Sequence, residues 1–268
     1  MHLKRWITGL IALPFLIYII YRGGILFALL ISAAGLISLW EYFRIVYHAE
    51  SKTQFNPITL WGYAICLAII WTTHAAGMQL NMWILAINLV FGAFFSLFQF
   101  KSDSGVLEII RKQVQGIIYI PLLLSFLIVI RAAPAGMVWI ACILAVIFAG
   151  DISAFYVGSY LGRHKLCPAV SPGKTIEGSI GGLAGNLVVG SLVKHLFLPE
   201  LSWGTSILFF LALGAAGQAG DLFESELKRF SSVKDSSGVL PGHGGFLDRI
   251  DALLFASPVA FIFIAYLF

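Results

Sequence analysis

The sequence predicts an all-α, polytopic membrane protein of about nine spans with its N-terminus in the cytoplasm. Three observations predict it: the composition, the length of the apolar runs, and the uneven placement of Lys and Arg. Of the 268 residues, 59% are hydrophobic and 11% charged, whereas soluble domains carry about 25% charged residues. Mean hydropathy is +0.92. Once the spans are assigned, too little sequence remains for a sizeable extramembrane module, which excludes a soluble enzyme and a nucleic-acid-binding domain. Cys66, Cys142 and Cys167 lie far apart and suggest neither a disulfide framework nor a CxxC metal site.

A bilayer core about 30 Å thick takes roughly 20 apolar residues per helix. Nine stretches qualify, around 6–21, 25–40, 60–74, 83–98, 114–130, 136–158, 178–193, 203–219 and 252–268. The first follows Met1-His2-Leu3-Lys4-Arg5. It resembles a signal peptide, but the many later spans and the lack of a convincing cleavage site favour a retained helix. Tyr21-Arg22-Gly23-Gly24 is a hairpin-turn signal joining it to the second. The first five spans, residues 1–135, read as generic bilayer helices; residues 136–268 read as a second part whose loops carry the chemistry. The sixth span contains Asp151, and an ionisable residue within a span is a functional candidate. The seventh is rich in Gly.

With the N-terminus inside, the cytoplasmic side holds 14 Lys and Arg, and the outside keeps 3, Arg22, Arg131 and Lys194. That asymmetry follows the positive-inside rule. It places the polar stretches 151–177 and 220–251 in the cytoplasm, with access to soluble nucleotides.

Between Asp221 and Asp251 the sequence gathers six carboxylates, four Lys or Arg, one His and four Gly. Charge confined between two spans has to line a polar cavity or lie at the interface. The part just after the eighth span reads as helical. Asp221, Ser225 and Lys228 share one face of it, and Glu224 and Lys228 form an i, i+4 pair that reads either as a solvated helix surface or as part of a site. Asp221 follows Gly220 at the membrane boundary and reads as a metal ligand. Farther on, Lys234-Asp235-Ser236-Ser237-Gly238 and Pro241-Gly242-His243-Gly244-Gly245 offer free N–H groups flanked by Lys and His. These suit either a flexible loop or an anion-binding nest, and phosphate contact is the preferred reading. Asp248 and Asp251 lie on one face at a helix start. They either complement the macrodipole or, facing Asp221, form a hard-oxygen site suited to Mg²⁺. Upstream, Ser171-Pro172-Gly173-Lys174-Thr175 is too short for a Walker A loop. It reads as a tight turn presenting Lys174 and Thr175, with Thr175 or Glu177 capping the next helix. Arg163, His164 and Lys165 read either as site residues or as positive-inside anchors.

Ser225, Leu227, Lys228, Arg229, Lys234, Asp235, Ser237, Leu240, Pro241, His243, Gly244, Gly245, Asp248, Arg249 and Asp251 resemble the signature of the phosphatidate cytidylyltransferases (CDP-diacylglycerol synthases). Asp151 to Phe155 and Ser171 to Gly178 look like a second region of that family. The resemblance implies a homodimeric helical enzyme of the bacterial inner membrane. Its reaction joins CTP to phosphatidic acid, giving CDP-diacylglycerol and pyrophosphate in phospholipid biosynthesis, with Mg²⁺ and a possible second cation. On that basis Asp221 and Asp248, supported by Asp251, are expected to hold the metal. Lys174, Lys228, Arg229, Lys234, His243 and Arg249 are expected to act on the phosphates. Ser171, Lys174, Thr175, Ser225, Gly244 and Gly245 are expected to line the nucleotide site.

Three rival readings differ in products. An ion-coupled transporter would suit Asp151 and Asn88 but shows no inverted repeat. A CTP-using lipid kinase would release CDP. A CDP-alcohol phosphotransferase would need motifs downstream of Asp248-Arg249-Ile250-Asp251 that are absent.

Overall fold

The computed structural model describes residues 14–47, 56–101, 105–233, 236–239 and 244–268. Lys234 and His243, the N-terminal Lys4 and Arg5, and the first half of the first expected span lie outside the described residues. Residues 14–22 are helical. They are followed by α1 (Gly24–Val46), α2 (Pro57–Ala76), α3 (Asn81–Gln99), α4 (Val106–Ile117), α5 (Leu123–Ala132), α6 (Gly136–Leu161), α7 (Ile176–Phe197), α8 (Trp203–Phe230) and α9 (Leu247–Tyr266). A two-stranded antiparallel hairpin, β1 (Lys165–Cys167) and β2 (Ser171–Thr175), is the only sheet among the described residues. Helices dominate because lipid leaves no water to satisfy backbone groups.

Among the described residues, seven helical stretches are long and apolar enough to cross a membrane. One of them, Pro57–Gln99, has 43 residues and contains two of the expected spans. Asn81 Nδ2 donates to Thr73 Oγ1 at 2.8 Å. Eight residues along a straight helix would separate the two by about 12 Å, so the chain reverses between them. Gly77 makes the reversal with φ of +71°, where Gly carries no steric cost. The expected turn at Gly23-Gly24 is also present, with φ of +62° and +56°.

The described chain divides into two compact units. The first combines residues up to Ala132 with Ser231–Asp248, and the second combines Ala133–Phe230 with Arg249–Phe268. In the first unit, Tyr42 Oη donates to the Lys112 carbonyl at 3.0 Å and Lys112 Nζ to the Val46 carbonyl at 2.8 Å. These bonds tie the end of α1 to α4. Between α4 and α5, Pro121 sits in a π-helical turn, Ile118–Leu122, where the wider turn tolerates the missing N–H. At the other end of α5, the Arg131 guanidinium donates to the carbonyls of Ile20 and Tyr21 at 2.6 and 2.7 Å.

In the second unit, α6, α7 and α8 pack through small residues. A side chain at Gly181 would run into Val157, and one at Gly190 into the Phe210 ring. The Gly content of the seventh span thus serves close helix approach. Two boundaries differ from the sequence expectation. Helix α6 continues to Leu161, so residues 151–161 are helical and the loop proper starts at Gly162. The expected tight turn at Ser171 to Thr175 is a β-strand paired with Lys165–Cys167.

Candidate active site

The expected site residues fall into two clusters, one in each unit. In the second unit the hairpin is held over the start of α7. Thr175 is the N-cap, its Oγ1 accepting from the Gly178 N–H at 3.1 Å. This settles the capping alternative in favour of Thr175. Glu177 instead accepts from the backbone N–H of Arg163 at 3.0 Å and of His164 at 3.2 Å, and lies 2.6 Å from His164 Nδ1. It closes the hairpin's entry. At the hairpin's far end, Arg229 Nε donates to the Val170 carbonyl at 3.1 Å.

That frame presents Lys174 to α8, where its Nζ pairs with Asp221 Oδ2 at 2.7 Å. Asp221 follows Gly220, and a Cβ at Gly220 would collide with the Asp251 carbonyl. The glycine therefore permits the close approach of α8 and α9 that puts Asp221 and Asp251 on neighbouring turns. The charge of Asp221 acts on both Asp251 and Asp151. Asp251 is buried, 8% exposed, and accepts from the Ala252 N–H at 2.8 Å. Asp151 is exposed. Three carboxylates thus share one electrostatic neighbourhood with Lys174, and the charge of Lys228 also reaches Asp251.

Glu224 and Lys228 form the expected ion pair, but it is no solvated surface, because Glu224 is fully buried. Ser225, one turn beyond Asp221, is half-buried, as is Ser171 at the start of β2. Arg249, in the first turn of α9, is exposed.

In the first unit, Asp248 Oδ2 accepts from Gly245 N–H at 2.9 Å, Ser236 Oγ at 3.0 Å and Ser236 N–H at 3.4 Å. Gly244 has a φ of +83°, which favours glycine. Gly245 leaves no room for a Cβ against Ser236 Oγ. The glycines of the motif therefore shape a loop that folds back onto Asp248. The same loop meets Glu41 of α1, whose carboxylate accepts from Ser236 and Ser237 hydroxyls and from the N–H groups of Phe246 and Leu247. Sequence reasoning read this helix as generic bilayer structure and passed over Glu41. The available signal was a lone carboxylate inside the apolar run of α1.

Among the described residues no group of three or more His, Cys, Asp or Glu side chains is arranged to hold a metal ion. Mg²⁺, however, usually keeps several waters and takes one or two carboxylates plus substrate phosphates. Asp221 and Asp251 are hard oxygen donors of that kind, and the excess negative charge around them suits a cation. The donor set fits.

A family model described as the cytidylyltransferase family matches residues 3–267. The chain is 33% identical to a phosphatidate cytidylyltransferase of Brucella abortus over 260 residues, covering 97% of this chain and 92% of that protein. It is 30% identical to the Bacillus subtilis phosphatidate cytidylyltransferase over 275 residues, 98% and 97% of the two chains. Over 268 residues it is 31% identical to the Thermotoga maritima phosphatidate cytidylyltransferase, covering 96% and 94%.

Proposed function

The chain belongs to the cytidylyltransferase family, and from that premise we infer that it transfers the cytidylyl group of CTP to phosphatidic acid, giving CDP-diacylglycerol and pyrophosphate. The carrying observation is the Lys174–Asp221 pair at 2.7 Å, a cation and a carboxylate held together beside Asp151 and Asp251. Binding two polyanions needs such a mixed site: cations for the phosphate oxygens and carboxylates for a divalent metal.

In the reaction an oxygen of the phosphatidate phosphate attacks the α-phosphorus of CTP. A new P–O bond forms, the bond to the β-phosphate breaks, and pyrophosphate leaves. A phosphomonoester with a second pKa of about 6 is mostly dianionic near neutrality, so the step requires no general base. Positioning and charge neutralisation are the protein's main contribution. Asp221 and Asp251 would hold the metal, with Asp248 one turn earlier on α9, and Mg²⁺ there would supply charge stabilisation for the nucleotide phosphates. Lys174 exchanges Asp221 for a phosphate oxygen, and Lys228, Arg229 and Arg249, with Lys234 and His243, take the remaining negative charge. Thr175 and Ser171 hold the hairpin that aims Lys174, while Ser225, Gly244 and Gly245 line the nucleotide.

The Lys and Arg asymmetry supports an inner-membrane enzyme whose site opens to the cytoplasm, the side that supplies CTP. The homodimer implied by the family resemblance belongs to the same reading. Purified protein given CTP, phosphatidic acid and Mg²⁺ tests it: pyrophosphate and a cytidine-bearing lipid should accumulate in equal amounts. Release of CDP would point to a lipid kinase, and absence of both products would reject the assignment.

A further inference from the structure

Glu41 lies on α1, about two hundred residues from the loop that it holds, and is completely buried. A carboxylate in such a place is costly unless donors surround it. Here four do. The single Ser236 hydroxyl proton is shared between Glu41, at 3.3 Å, and Asp248, at 3.0 Å, and Ser237 Oγ donates to the other Glu41 oxygen. Phe246 N–H donates at 2.9 Å and Leu247 N–H at 2.5 Å. The two hydroxyls precede the motif's Pro-Gly-His-Gly-Gly stretch in the sequence and the two amides follow it, so one side chain gathers Ser236 and Ser237 with Phe246 and Leu247.

The amides have a second meaning. Phe246 and Leu247 open α9, and a helix start leaves its first N–H groups without intrahelical acceptors. An acidic group there is favourable. Glu41 therefore acts as a remote cap that fixes where α9 begins. Asp248 lies in that first turn, Asp251 one turn further on, and Ser236 Oγ also bonds Asp248. A chain of contacts thus runs within the first unit from Glu41 through Ser236 to Asp248, and from Glu41 to the Leu247 amide beside it.

We propose that Glu41 is a positioning residue for the transfer reaction, holding Ser236, Ser237 and the start of α9 so that Asp248 is presented to the metal and nucleotide in one fixed arrangement. It touches neither substrate nor metal. The proposal rests on the function inferred above.

Three variants test it: Glu41→Gln, which turns one acceptor oxygen into a donor; Glu41→Asp, which keeps both acceptors on a shorter stem; and the double variant Ser236→Ala with Ser237→Ala, which cuts the contacts from the loop side and leaves the apolar span intact. Amide hydrogen exchange on the full-length protein in detergent, without substrate, should show Phe246 and Leu247 exchanging faster in Glu41→Gln by about tenfold, while α2 and α5 are unchanged. Turnover should fall by about 10–100-fold, the range seen when outer-shell partners of metal ligands are lost. The Mg²⁺ concentration for half-maximal rate should rise, and Glu41→Asp should recover part of both effects. The double serine variant should repeat the loss if Glu41→Gln does not fold. Wild-type exchange at Phe246 and Leu247, or faster exchange with unchanged turnover and Mg²⁺ dependence, would overturn the proposal. Faster exchange spread evenly over all helices would make Glu41 merely structural and overturn it equally. Should the wild-type protein fail to make cytidine-bearing lipid, the functional assignment falls, while the exchange comparison still judges the clamp.

Discussion

Asp221 is proposed to matter greatly for chemistry, while its contacts give it little weight in stability. Its ion pair with Lys174 is partly open, with side-chain exposures of 27% and 37%, and such pairs contribute about 0–1 kcal/mol. Asp221→Asn should therefore shift the unfolding midpoint in detergent by no more than a few degrees. Removing a metal carboxylate should at the same time lower turnover by about 100-fold or more, beyond the loss seen for outer-shell partners. Calorimetry and a pyrophosphate assay on the same preparation check both halves. Near-normal turnover would remove Asp221 from the metal site. Asp248→Asn makes a contrasting case, since Asp248 Oδ2 accepts three bonds from the loop. Its loss of turnover should come with faster amide exchange at Ser236 and Gly245, which Asp221→Asn should leave unchanged. At this scale the sequence disclosed residue types well and partners poorly. Carboxylates between apolar runs announced a site, but the pairing of Lys174 with Asp221 joins residues far apart in the chain. Glu41 was illegible for the same reason: a lone Glu in an apolar stretch signals a buried partner without saying which.

The elements were read best where their cause is local. The Gly23-Gly24 turn follows from backbone freedom, and the N-cap at Thr175 from a hydroxyl placed before a helix. That cap gives a bounded prediction. Thr175→Ala should cost about 1 kcal/mol, the usual loss of an N-cap hydroxyl, and should loosen the hairpin because Thr175 also pairs opposite Lys165. The expected result is a lowered unfolding midpoint together with a raised KM for CTP, since Lys174 is the preceding residue. An unchanged KM would separate the hairpin from nucleotide binding. The hairpin itself escaped the sequence because its strands are three and five residues long and carry no alternating pattern. Helix ends were read closely where polar residues kept helical spacing: Asp151 falls inside α6, which runs on to Leu161, and the helical reading of the turns with Glu224 and Lys228 is met by α8, which runs to Phe230.

At the scale of the whole chain, the proposed orientation rests on charge placement. In the first unit Arg131 reaches the carbonyls of Ile20 and Tyr21, so it shares a membrane face with Arg22. In the second, Lys194 is buried and donates to the Pro199 carbonyl at 3.0 Å, with Trp203 against it. Arg22, Arg131 and Lys194 are the 3 cations assigned outside, against 14 inside, and at least two of them are held by carbonyls of their own unit. The native cysteines report the orientation without substitution. Cys66 and Cys142 are completely buried, whereas Cys167 is partly open at the end of β1. A membrane-impermeant maleimide should label Cys167 in inverted vesicles and leave it untouched in right-side-out vesicles, with Cys66 and Cys142 reacting only after denaturation. CTP at saturating concentration with Mg²⁺ should slow that labelling if, as proposed, the same hairpin presents Lys174 to the nucleotide. Labelling from the outer face would reverse the orientation and place the hairpin where no CTP is supplied.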